Sequence, residues 1–149
     1  MGRIDKRLAE LRLELPAPKK PVANYVGCKQ SGNLLFVSAL VSATRGAAGV
    51  EVDLEGARAA AASTVLGLLS IVRHHIGDLD RIEGVEKMNG FVRSGPEFTQ
   101  HPTVIDGASE VLIDVFGEAG RHARTATGVA QLPFGATVQL EMVLKVTEV

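Results

Sequence analysis

Apolar and polar positions along this chain recur with two periods, and the places where the period changes mark out the elements. Ile4, Leu8, Leu11 and Leu15 fall at helical spacing, so a short amphipathic helix is predicted there, stopped by Pro16 and Pro18. Lys19-Lys20-Pro21 reads as a linker. Residues 23–29 read as a strand, Ser31-Gly32-Asn33 as a turn, and residues 34–40 as a second, mostly apolar strand. Residues 45–49 read as a flexible loop. The longest helix is predicted over residues 55–76. Ala57, Ala61, Val65, Leu68, Leu69, Val72 and Ile76 share one broad face of it. Asp53 or Glu55 favours its N-terminus, and Gly77 stops it. Residues 85–93 alternate as a strand, broken by Ser94-Gly95-Pro96, and residues 103–116 form a second helix with Gly117 after it. Residues 124–146 then read as a closing hairpin, two strands around a tight turn at 132–135.

The order is therefore β-β-α-β-α-β-β behind a helical arm: an α+β fold with helices laid on one face of a mixed or antiparallel sheet. Residues 1–149 read as a single domain, with 1–21 as the arm and linker. A hydrophobic content of 46% is enough for a real core.

Charge narrows the partners. Sixteen basic residues against seventeen acidic ones leave no basic excess, and aromatic content is 4% with no Trp. Neither phosphate-backbone binding nor base stacking is expected, so nucleic acid is not a predicted partner. The one cysteine, Cys28, leaves no disulfide within the chain. The first ten residues lack a signal peptide's apolar stretch, and no unbroken apolar run of about 18 residues is visible for a membrane span. A cytoplasmic protein with no membrane partner is the expectation.

No phosphate-binding loop, dinucleotide fingerprint, nucleophile elbow or zinc spacing occurs. His74 and His75 are adjacent at a helix C-terminus, where they face different directions and suit the helix dipole better than a metal. His101 and His122 fall in loops without ligand partners, so no metal site is predicted. Cys28 reads as a small buried apolar side chain. Arg124 is harder to place: it reads equally as a strand-end ion pair, an oligomer contact, or a guanidinium fork that grips a carboxylate. Gln139 and Glu141 share one face of an otherwise apolar strand, so that face is either solvated or lines a polar site. In the hairpin reading they lie beside Arg124. Tyr25 reads as a core tyrosine with its hydroxyl at the rim, and Ser38 as a strand serine serving local backbone.

Taken together, Tyr25, the run Gly32-Asn33-Leu34-Leu35-Phe36-Val37-Ser38, and Arg124 with Leu132-Pro133 eight and nine residues on resemble the YjgF family, also called the Rid (reactive intermediate deaminase) or endoribonuclease L-PSP family. The resemblance spans about residues 22–146. The arm and the segments Asp106-Gly107-Ala108-Ser109 and Val115-Phe116-Gly117-Glu118 look like a longer subgroup. The resemblance implies a chorismate-mutase-like fold, a homotrimer with ligand clefts between subunits, and no cofactor. It implies hydrolysis of reactive 2-imino or enamine acids to 2-keto acids and ammonia, with Arg124 gripping the substrate carboxylate and Tyr25 and Ser38 lining the cleft. The chain departs from the family pattern at four places. Gln139 stands where a glutamate handles water, Ala126 where a cysteine stands, Asp106 where the second helix has an asparagine, and Ser38-Ala39-Leu40 replaces Ser-Gly-Gln. An amide orients water but cannot take its proton. Glu141, roughly 6–7 Å further along the same strand face, is the second candidate for that role. Non-catalytic binding of small carboxylates or keto acids is the alternative function, and a ribonuclease ranks third for want of basic and aromatic surface.

Overall fold

The apolar face predicted for the long helix is the one that organises the molecule. The computed structural model describes residues 2–148. Helix α2 (Leu54–Ile76) buries Ala57, Ala61, Val65, Leu68, Leu69, Val72 and Ile76. The Asp53 side chain caps it by accepting from the Gly56 N–H, and Gly77, at φ +87°, ends it. By length and composition α2 passes for a membrane span, contrary to the reading above. Half of its residues are buried inside the protein, however, so it serves as a core helix.

The strands are β1 (Cys28–Ser31), β2 (Leu34–Val41), β3 (Ile82–Arg93), β4 (Ala123–Val129) and β5 (Val138–Val146), and the second long helix is α3 (His101–Phe116). They form one five-stranded mixed sheet in the order β1-β2-β5-β3-β4, with β3 and β4 parallel and the other pairs antiparallel. The β1–β2 turn has a positive φ at Gly32 alone (+59°), the backbone a tight hairpin needs at its first central residue. On β5, Val138, Leu140, Met142, Leu144 and Val146 are buried beneath the helices, while Gln139, Glu141, Val143 and Lys145 face the other way. Cys28 is buried, and desolvation pushes its thiol up to about 11, so it is a protonated core side chain at neutral pH.

The closing hairpin is not formed. β4 and β5 are both neighbours of β3, one on each side. Helix α3 is a crossover that returns the chain parallel to β3, on its free edge. The connection through Pro133–Gly135 then steps across the end of β3. There Ser94 N–H donates to Val129 O, and Arg93 donates its N–H to Thr137 O and its guanidinium to Gly135 O. The turn signal was real, but it joins strands one place apart.

The arm also differs from its prediction. Helix α1 (Arg3–Glu10) stops before Leu11, and Arg12 takes a left-handed conformation at φ +57°. Leu11 closes the helix as its C-cap, still in a helical conformation (φ −80°, ψ −4°). Past Arg12 the chain is no longer helical, and Leu11, Leu13 and Leu15 all pack against the core. Residues 23–27 are likewise bends rather than strand.

α1 is held by a cap from elsewhere in the fold. The Arg3 and Ile4 N–H groups each donate to the Asp80 carboxylate at 2.8 Å. Those two bonds, Ile4's first, hold the Asp80 carboxyl below its usual range. A depressed carboxylate stabilises the fold fully above its unfolded pKa, about 3.9, and that contribution is lost as pH falls through the lower folded value. Asp80→Ala is therefore expected to speed amide exchange across α1 at neutral pH and to flatten the acid side of the stability profile. Unchanged exchange would show that the cap does not hold the arm.

Candidate functional site

The side chains singled out in the sequence separate into two groups on opposite sides of the sheet. The first lines a cavity of about 700 Å³ on the face away from the helices: Tyr25, Ser38, Gln139 and Glu141, with Lys19, Lys20, Arg45 and Phe134 around them. Ser38 lies where the β2–β5 register slips between Val37 and Leu40. Its hydroxyl donates to Val26 O at 2.6 Å and its N–H to Gly27 O at 2.9 Å, which fixes the segment carrying Tyr25. Tyr25 is not a core residue. It is 44% exposed, and its hydroxyl accepts from the Val22 N–H at 3.4 Å. On β5, Gln139 pairs in register with Val41 and Phe91, and Glu141 with Asn89, whose amide donates to Glu141 Oε1 at 3.4 Å. Gln139 and Glu141 thus share a face, as their spacing requires, and that face borders a cavity.

The second group sits on the helix side, at the β4 edge. Arg124 Nη1 donates to Asp106 Oδ1 at 2.6 Å and to Ser109 Oγ at 3.1 Å, and Nη2 donates to Pro102 O at 3.3 Å. Helix α3 supplies all three partners. Among the described residues nothing accepts from Arg124 Nε–H or from the second Nη2–H, and the side chain is 22% exposed. Two donors of a rigid fork are therefore left for a ligand carboxylate. Ala126 lies two residues along the same strand face and packs partly against the core.

His122 and Ser109 extend this cluster, and the sequence offered no signal for their pairing. His122 Nδ1 lies 2.6 Å from Gly120 O and Nε2 lies 2.9 Å from Ser109 Oγ. A carbonyl only accepts, so Nδ1 carries a proton and donates it to Gly120 O, while Nε2 shares a hydrogen bond with the Ser109 hydroxyl. The same Ser109 oxygen accepts from Arg124 Nη1, so one hydroxyl ties His122 to Arg124. His101 has a partner too, Ser94 Oγ at 2.9 Å. His74 and His75 are exposed on the last turn of α2.

The two groups do not meet within one chain. Met88 faces Arg124 on one side and Met142 on the other, and it is fully buried under the helices. Glu141 pairs through Asn89 to Thr125, one residue out of phase, so it faces the opposite way. The expected adjacency of Arg124 with Gln139 and Glu141 came from the hairpin, and it falls with the hairpin.

Comparison with known proteins places this geometry. A family model described as "YjgF/chorismate mutase-like, putative endoribonuclease" matches residues 5–145. The chain belongs to that family. Protein TCP17 of Trypanosoma cruzi is 40% identical over 97% of this chain and 94% of its own length. The crystal structure of Atu1372, a protein of unknown function from Agrobacterium tumefaciens, is 42% identical, with a TM-score of 0.89 over 96% of this chain and 92% of that one. A Shewanella oneidensis MR-1 protein described as a "putative endoribonuclease" shares the fold at a TM-score of 0.94 and 24% identity, over 97% of this chain and all of that one. Such coverage takes in the N-terminal arm, so the arm is part of the fold these relatives share.

Proposed function

We propose that the protein hydrolyses reactive 2-imino or enamine acids to 2-keto acids and ammonia, in clefts between the subunits of a homotrimer. The observation that carries this reading is the sorting of the site residues. One face offers a cavity with an amide, a carboxylate, a phenol and a hydroxyl. The other offers an arginine with unused donors. Each is half of a site that two copies would complete. The open sheet face also exposes Phe36 (45%), with Val143 beside it, an apolar surface suited to burial in an assembly.

In such a cleft the Arg124 donors left free by Asp106, Ser109 and Pro102 would hold the substrate carboxylate and so fix the C=N carbon over the partner's cavity. Gln139 would orient a water and Glu141 would take its proton as oxygen bonds to carbon. From the iminium, the C=N electron pair moves onto nitrogen, which takes the proton back from Glu141. The carbinolamine hydroxyl then gives its own proton to Glu141 as C=O forms and the C–N bond breaks with its pair leaving on ammonia, which carries that proton away as ammonium. An iminium carbon is already electrophilic, so orientation supplies much of what the reaction needs.

The test is a coupled assay. An amino-acid oxidase generates the imino acid, semicarbazide traps what survives, and wild type is compared with Arg124→Ala. Wild type is expected to lower trapping, and Arg124→Ala to match the protein-free control. Equal trapping with and without wild-type protein would overturn the reading. Asp106 sets a finer expectation. Its carboxylate neutralises Arg124 and repels a ligand carboxylate, and a unit charge a few ångströms away at an effective dielectric near 20 is worth roughly 1 kcal/mol or more after screening. Asp106→Asn is therefore expected to tighten binding of 2-oxobutyrate about tenfold by calorimetry. Weaker binding would mean that Asp106 matters chiefly for holding Arg124 in place.

Gln139 favours one second reading, a binder without chemistry. Keto-acid binding that depends on Arg124, with no change in trapping, would select it.

A further inference from the structure

The positive charge around the cavity does not belong to Arg124. Lys19 and Lys20 from the arm and Arg45 from the loop after β2 all line it, and none of the three has an ion-pair partner among the described residues. Glu141 is the one acid among the cavity's lining residues. A smaller cavity of about 240 Å³ continues from Ser38 and Glu141 and adds Lys29 and Lys87. Five cations thus line the two adjoining cavities, with Glu141 the one acid that lines them, in a chain whose overall charge is −1. Arg124, by contrast, is already neutralised by Asp106 at 2.6 Å.

Backbone anchors on either side set the path of the segment that carries the two lysines. Ser70 Oγ on α2 donates to Pro16 O at 2.5 Å just before the two lysines, and Ser38 holds Val26 just after them. Arg45 is tied by its backbone bridge to Ala136 beside the turn that carries Phe134. Apolar Val22, Leu40, Val41 and Phe134 complete the wall. A small 2-imino acid with an uncharged side chain would leave most of the 700 Å³ empty and the cavity's cations unmatched.

We infer that the cavity takes a ligand with two anionic groups: a 2-imino or 2-keto acid whose side chain ends in a second carboxylate or a phosphate, with Lys19, Lys20 and Arg45 receiving that second group. The inference rests on the cavity being the ligand site of the proposed function, but it does not require turnover. Low-dielectric walls and several like charges give an anion more than any single surface lysine would.

Calorimetry on the full chain, at low and at physiological salt, tests it with three probes: 2-oxobutyrate, 2-oxoglutarate and 3-phosphooxypyruvate. Wild type is expected to bind at least one dianionic probe about tenfold more tightly than 2-oxobutyrate, with the preference shrinking as salt rises. Whichever dianion leads tells carboxylate from phosphate. Lys20→Gln with Arg45→Gln should bring the ratio near one, and Arg124→Ala should weaken all three alike and leave the ratio unchanged. Equal binding of the three by wild type, or a ratio untouched by the double variant, would overturn the inference. Dianion-selective binding without imine hydrolysis would sink the deaminase reading alone. Imine hydrolysis without that selectivity would sink this inference alone.

Discussion

Gly107→Ala is expected to destabilise the protein by about 2–3 kcal/mol, although alanine is the better helix former. Two effects oppose each other. Alanine in a helix interior gains about 1 kcal/mol over glycine. A Cβ at Gly107, however, would sit 2.3 Å from the Arg58 carbonyl oxygen and 3.0 Å from its carbon, which are backbone atoms of α2 and cannot rotate aside. Overpacking of this kind costs typically 1–3 kcal/mol, and more where the neighbour is rigid. Here relief by separation is also resisted. The Arg58 guanidinium donates to Thr103 O at 2.7 Å and to Glu110 Oε2 at 2.9 Å, clasping α3 on both sides of Gly107. The clash wins, and a chain of this length should lose roughly 6–10 °C in Tm. Thermal unfolding checks it, and a Tm within about 2 °C of wild type would mean that the helices part freely. Because Asp106 and Ser109 flank Gly107, the same variant should loosen the grip on Arg124. A loss of keto-acid affinity beyond what unfolding explains would show that helix packing sets the arginine.

What could be read from the sequence follows from how local each determinant is. α2 was legible from cap to stop because its apolar stripe, Asp53 and Gly77 all act within one helix. The alternation over β3 was legible for the same reason. The hairpin was misread because Leu132–Gly135 is a genuine turn, while the pairing of β4 is decided by where α3 returns the chain. No local signal records that choice. In the arm two periods overlap: Ile4, Leu8, Leu11 and Leu15 satisfy a helix, but Leu11, Leu13 and Leu15 also satisfy a period of two, and the helix ends at its C-cap Leu11, where Arg12 turns left-handed. Arg124, Gln139 and Glu141 stood out as polar residues in apolar company. Which side of the sheet each faces depends on strand order, so their separation could not be read. Lys19, Lys20 and Arg45 were invisible as site residues, since linker and loop carry no pattern and only the path of the chain brings them to one cavity.

Mixing two defective variants should restore activity that neither has alone. If the site is shared between subunits, Arg124→Ala removes the edge that one subunit contributes, and Gln139→Ala with Glu141→Ala removes the face that the other contributes. Each variant by itself is expected to lose about a hundredfold or more in imine hydrolysis, the scale of a lost positioning or proton-transfer group. After equal amounts are unfolded together and refolded, each cleft draws its face and its edge independently. Half the faces and half the edges are intact, so about a quarter of clefts are whole in a closed ring of identical subunits. Activity near a quarter of wild type, against about a hundredth for either parent, is far outside assay error. A site within one chain gives no recovery, because every chain then carries its own defect. Met88 is why the first outcome is expected: it holds Arg124 on the buried side of the sheet while Glu141, one residue out of step, faces the cavity. No rotamer of either side chain crosses a packed sheet, so one chain alone cannot close the site. A mixture that stays at the parents' level, with refolded wild type active, would place the chemistry on one side only and leave Arg124 as a structural ion pair to Asp106.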